Sequence, residues 1–239
     1  MYCEKHGINY EQNEIELFGR KILGGMCPTC EIEYEEETRK AENERQEQGK
    51  IDQYRRSNIE PLYFDASFDS FKADTPELEK AKSAVQKLVS ERKGKIVMLG
   101  NNGTGKTHLA VCAVKEIGGK ILTMYEISTR IRATYSSKAK EDELEVTDDL
   151  ARLKMLVIDE IGRTKGSDAE ENWLSYIIDK RNSRKLPLIL ISNKHTRKSC
   201  TENGCKDCLE NYLSEDILSR LCVDGKILNF SGEDWRKKR

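Results

Sequence analysis

Short apolar runs alternate with amphipathic stretches along most of the chain after residue 60. The runs with the length of a strand are Lys95-Ile-Val-Met-Leu99, Lys120-Ile-Leu-Thr-Met124, Lys154-Met-Leu-Val-Ile158 and Pro187-Leu-Ile-Leu-Ile191. The helical patterns around them are Glu77–Ser90, Thr107–Glu116, Glu126–Tyr135 and Ala169–Ser183. Uninterrupted apolar strands that alternate with helices are typical of a parallel sheet covered on both faces. The pattern therefore predicts an α/β fold with a parallel sheet between helices.

A different pattern occupies the first 57 residues. Up to Cys30, glycines separate small apolar groups, which is typical of a small module with turns. From Glu31 to Ser57, 15 of the 27 residues are charged and none is proline, which favours a solvated helix. We therefore predict a partner-binding N-terminal module and helical arm over residues 1–57, followed by a main domain over residues 58–239.

Acidic and basic residues nearly cancel, with 42 of the first kind and 41 of the second. This balance excludes a nucleic-acid binder that acts through bulk positive charge. The apolar runs are much shorter than the roughly 18 residues of a membrane span, and the N-terminus lacks the apolar core of a signal peptide. We expect a cytoplasmic protein without membrane partners, whose eight cysteines are reduced thiols or metal ligands.

The segment Gly100-Asn-Asn-Gly-Thr-Gly-Lys106-Thr107 satisfies the pattern G-x-x-x-x-G-K-[ST] between a predicted strand and a predicted helix. Its glycines allow backbone N–H groups to surround phosphate oxygens, and the following helix directs its positive end at the anion. The lysine reaches the β- and γ-phosphates, and the hydroxyl group binds Mg²⁺. The residues predicted to bind ATP are Gly100, Asn101, Asn102, Gly103, Thr104, Gly105, Lys106 and Thr107.

Two adjacent carboxylates end a later apolar run, Leu156-Val-Ile-Asp159-Glu160. In P-loop nucleotide hydrolases an acid at this place holds Mg²⁺, and an adjacent acid orients or deprotonates the attacking water. We assign Asp159 to the metal and Glu160 to the water. The alternative is an acidic strand end that only faces solvent, and the phosphate motif argues against it.

Two short cysteine motifs lie near the N-terminus, Cys3-Glu-Lys-His6 and Cys27-Pro-Thr-Cys30. Together they supply four ligands with the spacings of structural zinc sites. A segment of this size cannot build an adequate core, so metal binding would supply its folding free energy. We predict that Cys3, His6, Cys27 and Cys30 bind one Zn²⁺. The alternative is two accidental pairs.

A second group of potential ligands consists of His195, Cys200, Cys205 and Cys208. It lies in a loop that is long for a compact domain. Only Cys205 and Cys208 have the spacing that zinc sites prefer, and the fourth ligand is His195, Cys222 or none. A second zinc site and a set of reactive or redox cysteines therefore both remain open as interpretations.

The combined motifs resemble the AAA+ ATPases, and more narrowly the DnaC-type loaders of the bacterial replicative helicase and their relative, the IstB transposition helper. The segments that carry the resemblance are Leu99-Gly-Asn-Asn-Gly-Thr-Gly-Lys-Thr-His-Leu-Ala110, Leu156-Val-Ile-Asp-Glu-Ile-Gly162, Ile191-Ser-Asn193, Ile217-Leu-Ser-Arg-Leu221 and Asp234-Trp-Arg236. The resemblance extends from about Arg56 to the C-terminus. It implies a P-loop AAA+ domain without a separate C-terminal lid.

The same resemblance implies roles for three further residues. Asn193 looks like the polar sensor that positions water near the γ-phosphate, Arg220 looks like an arginine finger, and Arg236 resembles a second sensor. Because an arginine finger acts on a neighbour's nucleotide, the resemblance implies an ATPase activated by assembly into a homo-oligomer on ATP binding. Without the resemblance, Asn193 would be interpreted as a turn cap and the two arginines as surface residues.

A member of this family is expected to be an ATP-dependent loader that binds the replicative DNA helicase and single-stranded DNA during DNA replication. The alternatives are an IstB-like transposition helper, which would bind duplex DNA and a transposase, and a nucleotide-regulated antagonist that holds a helicase inactive. Arg130, Arg132, Lys138 and Lys140 are candidates for a basic edge facing a nucleic-acid backbone, and a solvated helix face explains them equally well.

Overall fold

A computed structural model of the chain describes residues 1–17, 20–163, 167–202 and 205–238. Within these ranges, the side chains of residues 13–17, 20–23, 236 and 238 are not described. The contacts divide the chain into two units, Met1–Gln53 and Tyr54–Arg239. Across the described ranges, no helix has both the length and the apolar character needed to span a membrane.

The first unit contains two short antiparallel strand pairs and most of a long helix. β1 (Tyr2–Cys3) pairs with β2 (Ile8–Asn9), and β3 (Asn13–Leu17) pairs with β4 (Arg20–Gly24). α1 (Pro28–Arg56) follows, and none of its residues is buried. Proline suits the first helical position because the N–H group it lacks would have no partner within the helix. The solvated helix predicted from the charged composition is confirmed.

A five-stranded sheet forms the centre of the second unit. Its strands are β5 (Lys95–Gly100), β6 (Lys120–Thr123), β7 (Leu156–Asp159), β8 (Leu188–Ser192) and β9 (Gly225–Phe230). They lie in the order β6-β7-β8-β5-β9, and every neighbouring pair is parallel. All five strands therefore end at one edge, which we call the carboxyl edge of the sheet, and begin at the opposite amino edge.

Helices cover both faces of this sheet. They are α2 (Pro76–Glu91), α3 (Lys106–Ile117), α4 (Met124–Ala133), α5 (Glu143–Arg152), α6 (Asp168–Ser183) and α7 (Glu215–Cys222). Ile96 and Met98 of β5 share a buried cluster with α2 and α3, whereas Val97 and Leu99 share another with α4, α5, α6 and α7. Because side chains alternate along a strand, each face of the sheet has its own core. The predicted α/β fold with a parallel sheet between helices is confirmed.

Two details of the sheet differ from the apolar pattern. The pattern extends the second strand to Met124, but a capping box ends β6 at Thr123, where the backbone N–H of Glu126 donates to Oγ1 at 3.1 Å and the Glu126 carboxylate accepts from the Thr123 N–H at 2.7 Å. β9 was not predicted, because it lies at the sheet edge and only Phe230 among its residues is buried.

Candidate nucleotide site and metal-binding clusters

The phosphate motif forms a tight loop between β5 and α3 at the carboxyl edge of the sheet. Gly103 and Gly105 have φ angles of 75° and 93°, which residues with a Cβ rarely adopt. A Cβ on Gly103 would overlap the side chain of Asp234, and one on Gly105 would lie 2.6 Å from the ring of Phe71. Glycine is therefore required at both positions, for the backbone conformation and for the segments packed on the loop.

Lys106 is the first residue of α3 and is only 5% exposed. Its Nζ donates hydrogen bonds to the carbonyl oxygens of Gly100 at 2.7 Å and Asn101 at 2.6 Å. Thr104 is buried and its Oγ1 donates to the Asn101 carbonyl at 2.9 Å, whereas the side chain of Asn102 is exposed. The ammonium group and the positive end of α3 thus lie together, and this combination suits a phosphate group.

Thr107 and Asp159 bring together two elements that are distant in sequence. Thr107 Oγ1, in the first turn of α3, donates to Asp159 Oδ2 at 2.9 Å, and Asp159 is the last residue of β7. The backbone N–H of Glu160 donates to Asp159 Oδ1 at 2.6 Å, and burial raises the pKa of Asp159. A hydroxyl and a carboxylate oxygen are ligands that Mg²⁺ prefers, and both lie beside the phosphate loop.

Glu160 follows β7 directly and has a φ angle of 60°, which is uncommon for a residue with a side chain. Nη1 of Arg163 donates to both carboxylate oxygens of Glu160, at 2.8 Å and 2.7 Å. The side chain of Arg163 is largely exposed. Glu160 is therefore held by an ion pair at the surface, beside the Thr107–Asp159 pair.

Asn193 follows β8, the strand that lies between β5 and β7. The preceding Ser192 is paired with Leu99, and its Oγ donates to the carbonyl oxygen of Ile161 at 2.6 Å. Asn193 is exposed, and it lies at the same edge of the sheet as the phosphate loop and Glu160. The sheet order therefore brings the predicted sensor and the predicted water-binding carboxylate to neighbouring strand ends.

Arg220 lies at the opposite side of the domain. Its carbonyl oxygen accepts a hydrogen bond from Nζ of Lys95 at 2.6 Å, and Lys95 is the first residue of β5. Its guanidinium group pairs with Asp216 at 2.9 Å and with Asp179 on α6. Because β5 ends at Gly100, Arg220 lies near the amino edge, about 16 Å along the strand from its own phosphate loop. That separation is longer than an arginine side chain.

The segment after β9 returns to the phosphate loop, and sequence reasoning missed part of this contact. The backbone N–H of Trp235 donates to the Gly103 carbonyl at 3.1 Å, Asp234 packs on Gly103, and Nζ of Lys72 lies 5.3 Å from the Trp235 ring centroid. The side chain of Arg236, the predicted second sensor, lies outside the described residues. Its backbone is placed beside the loop by Trp235.

The four N-terminal ligands come together in the first unit. Nδ1 of His6 lies 3.6 Å from Sγ of Cys3 and 3.3 Å from Sγ of both Cys27 and Cys30, and the Cys3 and Cys30 sulfurs are 3.6 Å apart. Four tetrahedral donors about 2.0–2.3 Å from one zinc ion lie about 3.5–3.8 Å from each other. The donor set therefore fits a single Zn²⁺.

The surroundings of this cluster also suit a metal. Nε2 of His6 lies 3.2 Å from Oε1 of Glu33, whose other oxygen accepts from Lys5 at 2.5 Å. A carboxylate on the far nitrogen orients a metal-binding imidazole and increases its basicity. The contacts with Cys27, Cys3 and Glu33 raise the pKa of His6 to about 9. Since a proton on His6 competes with the metal, zinc affinity should fall as the pH falls.

The second group of ligands also comes together, in the loop between β8 and α7. One donor atom from each of His195, Cys200, Cys205 and Cys208 lies within 4.8 Å of the others. Nε2 of His195 is 3.4 Å from Sγ of Cys205. Cys222, the other ligand considered from the sequence, is exposed at the end of α7 and is not part of the group.

Two of the four residues of the predicted basic edge, both on α4, form ion pairs, and Lys138 and Lys140 are exposed. Arg130 pairs with Glu141 at 3.0 Å and Arg132 pairs with Glu170 at 2.8 Å. A cavity of about 550 Å³ opens next to Arg132 and is also lined by Glu160. Positive charge along α4 is therefore weaker than the sequence alone indicates.

Comparisons with known proteins agree on a family and a fold. A family model described as IstB-like ATP binding protein matches residues 36–239. The replicative helicase loader DnaC of Escherichia coli strain K12 is 31% identical over 194 residues, which cover 77% of this chain and 75% of that protein.

Two solved structures show the same fold at low sequence identity. A crystal structure of the DnaC helicase loader has a TM-score of 0.59 and 20% identity, covering 72% of this chain and 100% of that chain. The AMPPCP-bound DnaA of Aquifex aeolicus has a TM-score of 0.58 and 18% identity, covering 73% of this chain and 51% of that chain.

Proposed function

Because the chain belongs to the DnaC/IstB-like family of AAA+ ATPases, we propose that it loads a replicative DNA helicase onto single-stranded DNA at the expense of ATP. The observation that carries this proposal is the carboxyl edge of the sheet, where the phosphate loop, Asp159, Glu160 and Asn193 meet in a chain with DnaC-type relatives. The helicase partner is inferred from the family, and the nucleotide chemistry is inferred from the residues at this edge of the sheet.

ATP would be held by the phosphate loop and the start of α3. Lys106 would exchange its bonds to the Gly100 and Asn101 carbonyls for the phosphates, while the loop N–H groups surround them. Thr107 and Asp159 would hold Mg²⁺, which neutralises charge on the phosphates when bound. The hydrogen bond between these two side chains supports this assignment, because it places both oxygens at one point.

Hydrolysis would depend on Glu160 and Asn193. Glu160 would orient or deprotonate the attacking water, which requires its carboxylate to leave the ion pair with Arg163. Arg163 is exposed, so this exchange costs little. Asn193 would position the same water, and its place at the end of the adjacent strand supports that role.

Assembly into a homo-oligomer on ATP binding would complete the site. The position of Arg220 near the amino edge supports action on a neighbour's nucleotide, because the side chain cannot span β5 to its own phosphate loop. Its partners Asp179 and Asp216 are half-exposed or more, so they can be replaced by phosphate oxygens at little cost. Arg236 would act as a second phosphate sensor from the segment that Trp235 holds on Gly103.

The N-terminal residues 1–57 would bind one Zn²⁺ and contact the helicase. The tetrahedral donor spacing of Cys3, His6, Cys27 and Cys30 supports the metal. The partner role is supported by α1, a long helix without buried residues that contributes little to the core of either unit.

The proposal is tested by helicase loading with purified proteins. We expect the chain, with ATP and Mg²⁺, to transfer the replicative helicase of its own organism onto single-stranded DNA circles, and the Lys106→Ala variant to fail. Helicase bound to DNA would be measured by gel filtration. Binding of a transposase and duplex DNA without helicase binding would contradict loading and favour a transposition helper. If the chain bound the helicase and blocked unwinding but did not transfer the helicase onto DNA, loading would be contradicted and an antagonist favoured.

A further inference from the structure

We propose that His195, Cys200, Cys205 and Cys208 bind a second Zn²⁺, which fixes the loop that joins β8 to α7. Their four donor atoms all lie within 4.8 Å of one another, and the His195 Nε2–Cys205 Sγ distance of 3.4 Å is close to a tetrahedral edge. A regular tetrahedron with edges of 4.8 Å has its centre about 2.9 Å from each vertex, so inward shifts of less than about 1 Å would bring all four donors to bonding distance of one ion.

The donor set indicates which metal and which kind of site. Three thiols and one imidazole are soft and borderline ligands, which select zinc over magnesium or calcium. Four protein ligands close a tetrahedral shell, so no position remains for a substrate and the site is structural. All eight cysteines of the chain are thiols, and the four N-terminal donors form the same set of three sulfurs and one imidazole.

Backbone hydrogen bonds bring two of the ligand segments together. The His195 N–H donates to the Asp207 carbonyl at 3.2 Å, and the Leu209 N–H donates to the His195 carbonyl at 2.8 Å, so His195 and Cys208 lie side by side. The Asp207 N–H donates to Sγ of Cys205 at 3.3 Å. Such an N–H bond stabilises a metal-bound thiolate and orients it. Two ligand segments are thus already paired around the site.

The contacts of this loop connect the metal site to the nucleotide site. Asn193 precedes His195 by two residues, and Lys194 between them pairs with Asp207 at 2.7 Å. Nζ of Lys194 also lies 4.4 Å from the ring centroid of Tyr212, and the Tyr212 ring packs against Gly162, two residues after Glu160.

Zinc bound here would therefore restrain both ends of the loop. Asn193 lies just before the first ligand, and α7 follows the last one. Leu209 and Leu213, on the α7 side of the ligands, are buried in the core that α7 shares with β7 and β8. Without the metal, the loop between β8 and α7 would lose one cross-link between its two halves and would depend on hydrogen bonds such as those of His195. We infer that the ion positions Asn193 for hydrolysis, and this second step rests on the proposed role of Asn193.

Metal content of the full chain tests the site. We expect two zinc ions per chain, one in the Cys27→Ser/Cys30→Ser variant and one in the Cys205→Ser/Cys208→Ser variant, measured by inductively coupled plasma mass spectrometry after gel filtration. Cys222→Ser is the matched control and should retain two. The proposal would be overturned if the Cys205→Ser/Cys208→Ser variant still held two zinc ions. It would also be overturned if the wild type held one ion and the Cys27→Ser/Cys30→Ser variant held none.

A second pair of variants keeps the test decisive if the double variant does not fold. His195→Cys keeps four ligands and should retain two zinc ions, whereas His195→Ala should release one ion to a chelator at least about tenfold faster. Equal metal retention by these two variants would contradict ligation by His195. With cobalt in place of zinc, His195→Cys should shift the visible d–d bands. Unchanged bands would also contradict ligation by His195.

Nucleotide assays separate the metal site from the role of Asn193. The Cys205→Ser/Cys208→Ser variant should bind a fluorescent ATP analogue within about twofold of the wild type and hydrolyse ATP at least about tenfold more slowly. Loss of one zinc ion with unchanged turnover would overturn the link to Asn193. If the wild type hydrolyses no ATP at all, the proposed function fails, while the metal count still decides the second zinc site.

Discussion

Lys106 shows what a single side chain contributes to the nucleotide site. Its ammonium group is buried at the start of α3 and bonded to two loop carbonyls, so it already lies at the phosphate loop. A charged hydrogen bond of this kind contributes about 1.5–3 kcal/mol. We expect Lys106→Ala to weaken ATP binding by about tenfold to 100-fold, measured by isothermal titration calorimetry. Lys87→Ala, an exposed lysine on α2, is the control, and equal affinity of the two variants would refute the assignment.

Glu160→Gln separates ATP binding from hydrolysis. The amide keeps the size of the side chain but cannot accept a proton, so ATP affinity should stay within about twofold while turnover falls by about 100-fold or more. Phosphate release under saturating ATP measures the effect. Glu116→Gln, at the exposed end of α3, should hydrolyse ATP normally. Normal turnover by Glu160→Gln would mean that another group activates the water.

At the scale of the elements, one buried arginine joins three segments of the domain. Arg181 on α6 is 1% exposed, and its guanidinium group donates to the carbonyls of Leu150 at 3.1 Å and Leu153 at 2.9 Å, and to that of Pro187. These carbonyls lie at the end of α5, ahead of β7 and ahead of β8. The arginine therefore ties two strand entrances at the amino edge to α6.

Removing this side chain should destabilise the fold. Arg181→Ala leaves several buried carbonyls without a donor, so we expect the free energy of unfolding to fall by about 3 kcal/mol or more. Urea denaturation followed by circular dichroism measures it. Arg184→Ala is the matched control, because Arg184 is an exposed residue whose partner Asp148 keeps a second ion pair with Arg152, so its removal should cost about 1 kcal/mol or less. Similar losses in both variants would show that the buried bonds add nothing.

At the scale of the whole molecule, the opposite positions of Arg220 and the phosphate loop predict complementation between subunits. Arg220→Ala and Lys106→Ala should each lower turnover at least about tenfold when alone. Mixed together, some interfaces pair an intact phosphate loop with an intact Arg220, so part of the activity should return. The measurement is ATP turnover across mixing ratios, with co-assembly checked by light scattering. Co-assembly without any recovery of turnover would argue against action in trans.

The two units predict separable roles for the N-terminal part and the remainder. A truncated chain should begin at Tyr54, because the Tyr54 ring lies 5.6 Å from that of Phe64 and the Ser57 carbonyl accepts from the Ile121 N–H at 3.1 Å. We expect this chain to fold and bind ATP but to lose helicase association in a pull-down. The isolated residues 1–53 should bind one zinc ion.

Either half of this prediction can fail separately. Absence of zinc from the fragment of residues 1–53 would refute the first metal site. Undiminished helicase binding by the truncated chain would show that the helicase-binding surface lies in the second unit.

Local sequence patterns were enough to predict those features whose chemistry depends on residues a few positions apart. The phosphate loop needs a strand, a glycine turn and a helix in succession, and all three are visible between Lys95 and Ile117. The proximity of Cys27 to Cys30 and of Cys205 to Cys208, on which the proposed zinc sites depend, likewise follows from spacing alone. The sheet class followed from apolar runs, because strands buried on both faces have uninterrupted apolar sequences.

Tertiary structure alone decided which distant residues meet. The bond between Thr107 and Asp159 depends on the order of the strands, and so does the placement of Asn193 beside Glu160. The same order puts Arg220 near the opposite edge. Neither β9 nor the buried bonds of Arg181 could be predicted, because an edge strand is only half apolar and an arginine on a helix usually faces water. Strand order is set by packing over the whole domain, and no short segment of the sequence contains it.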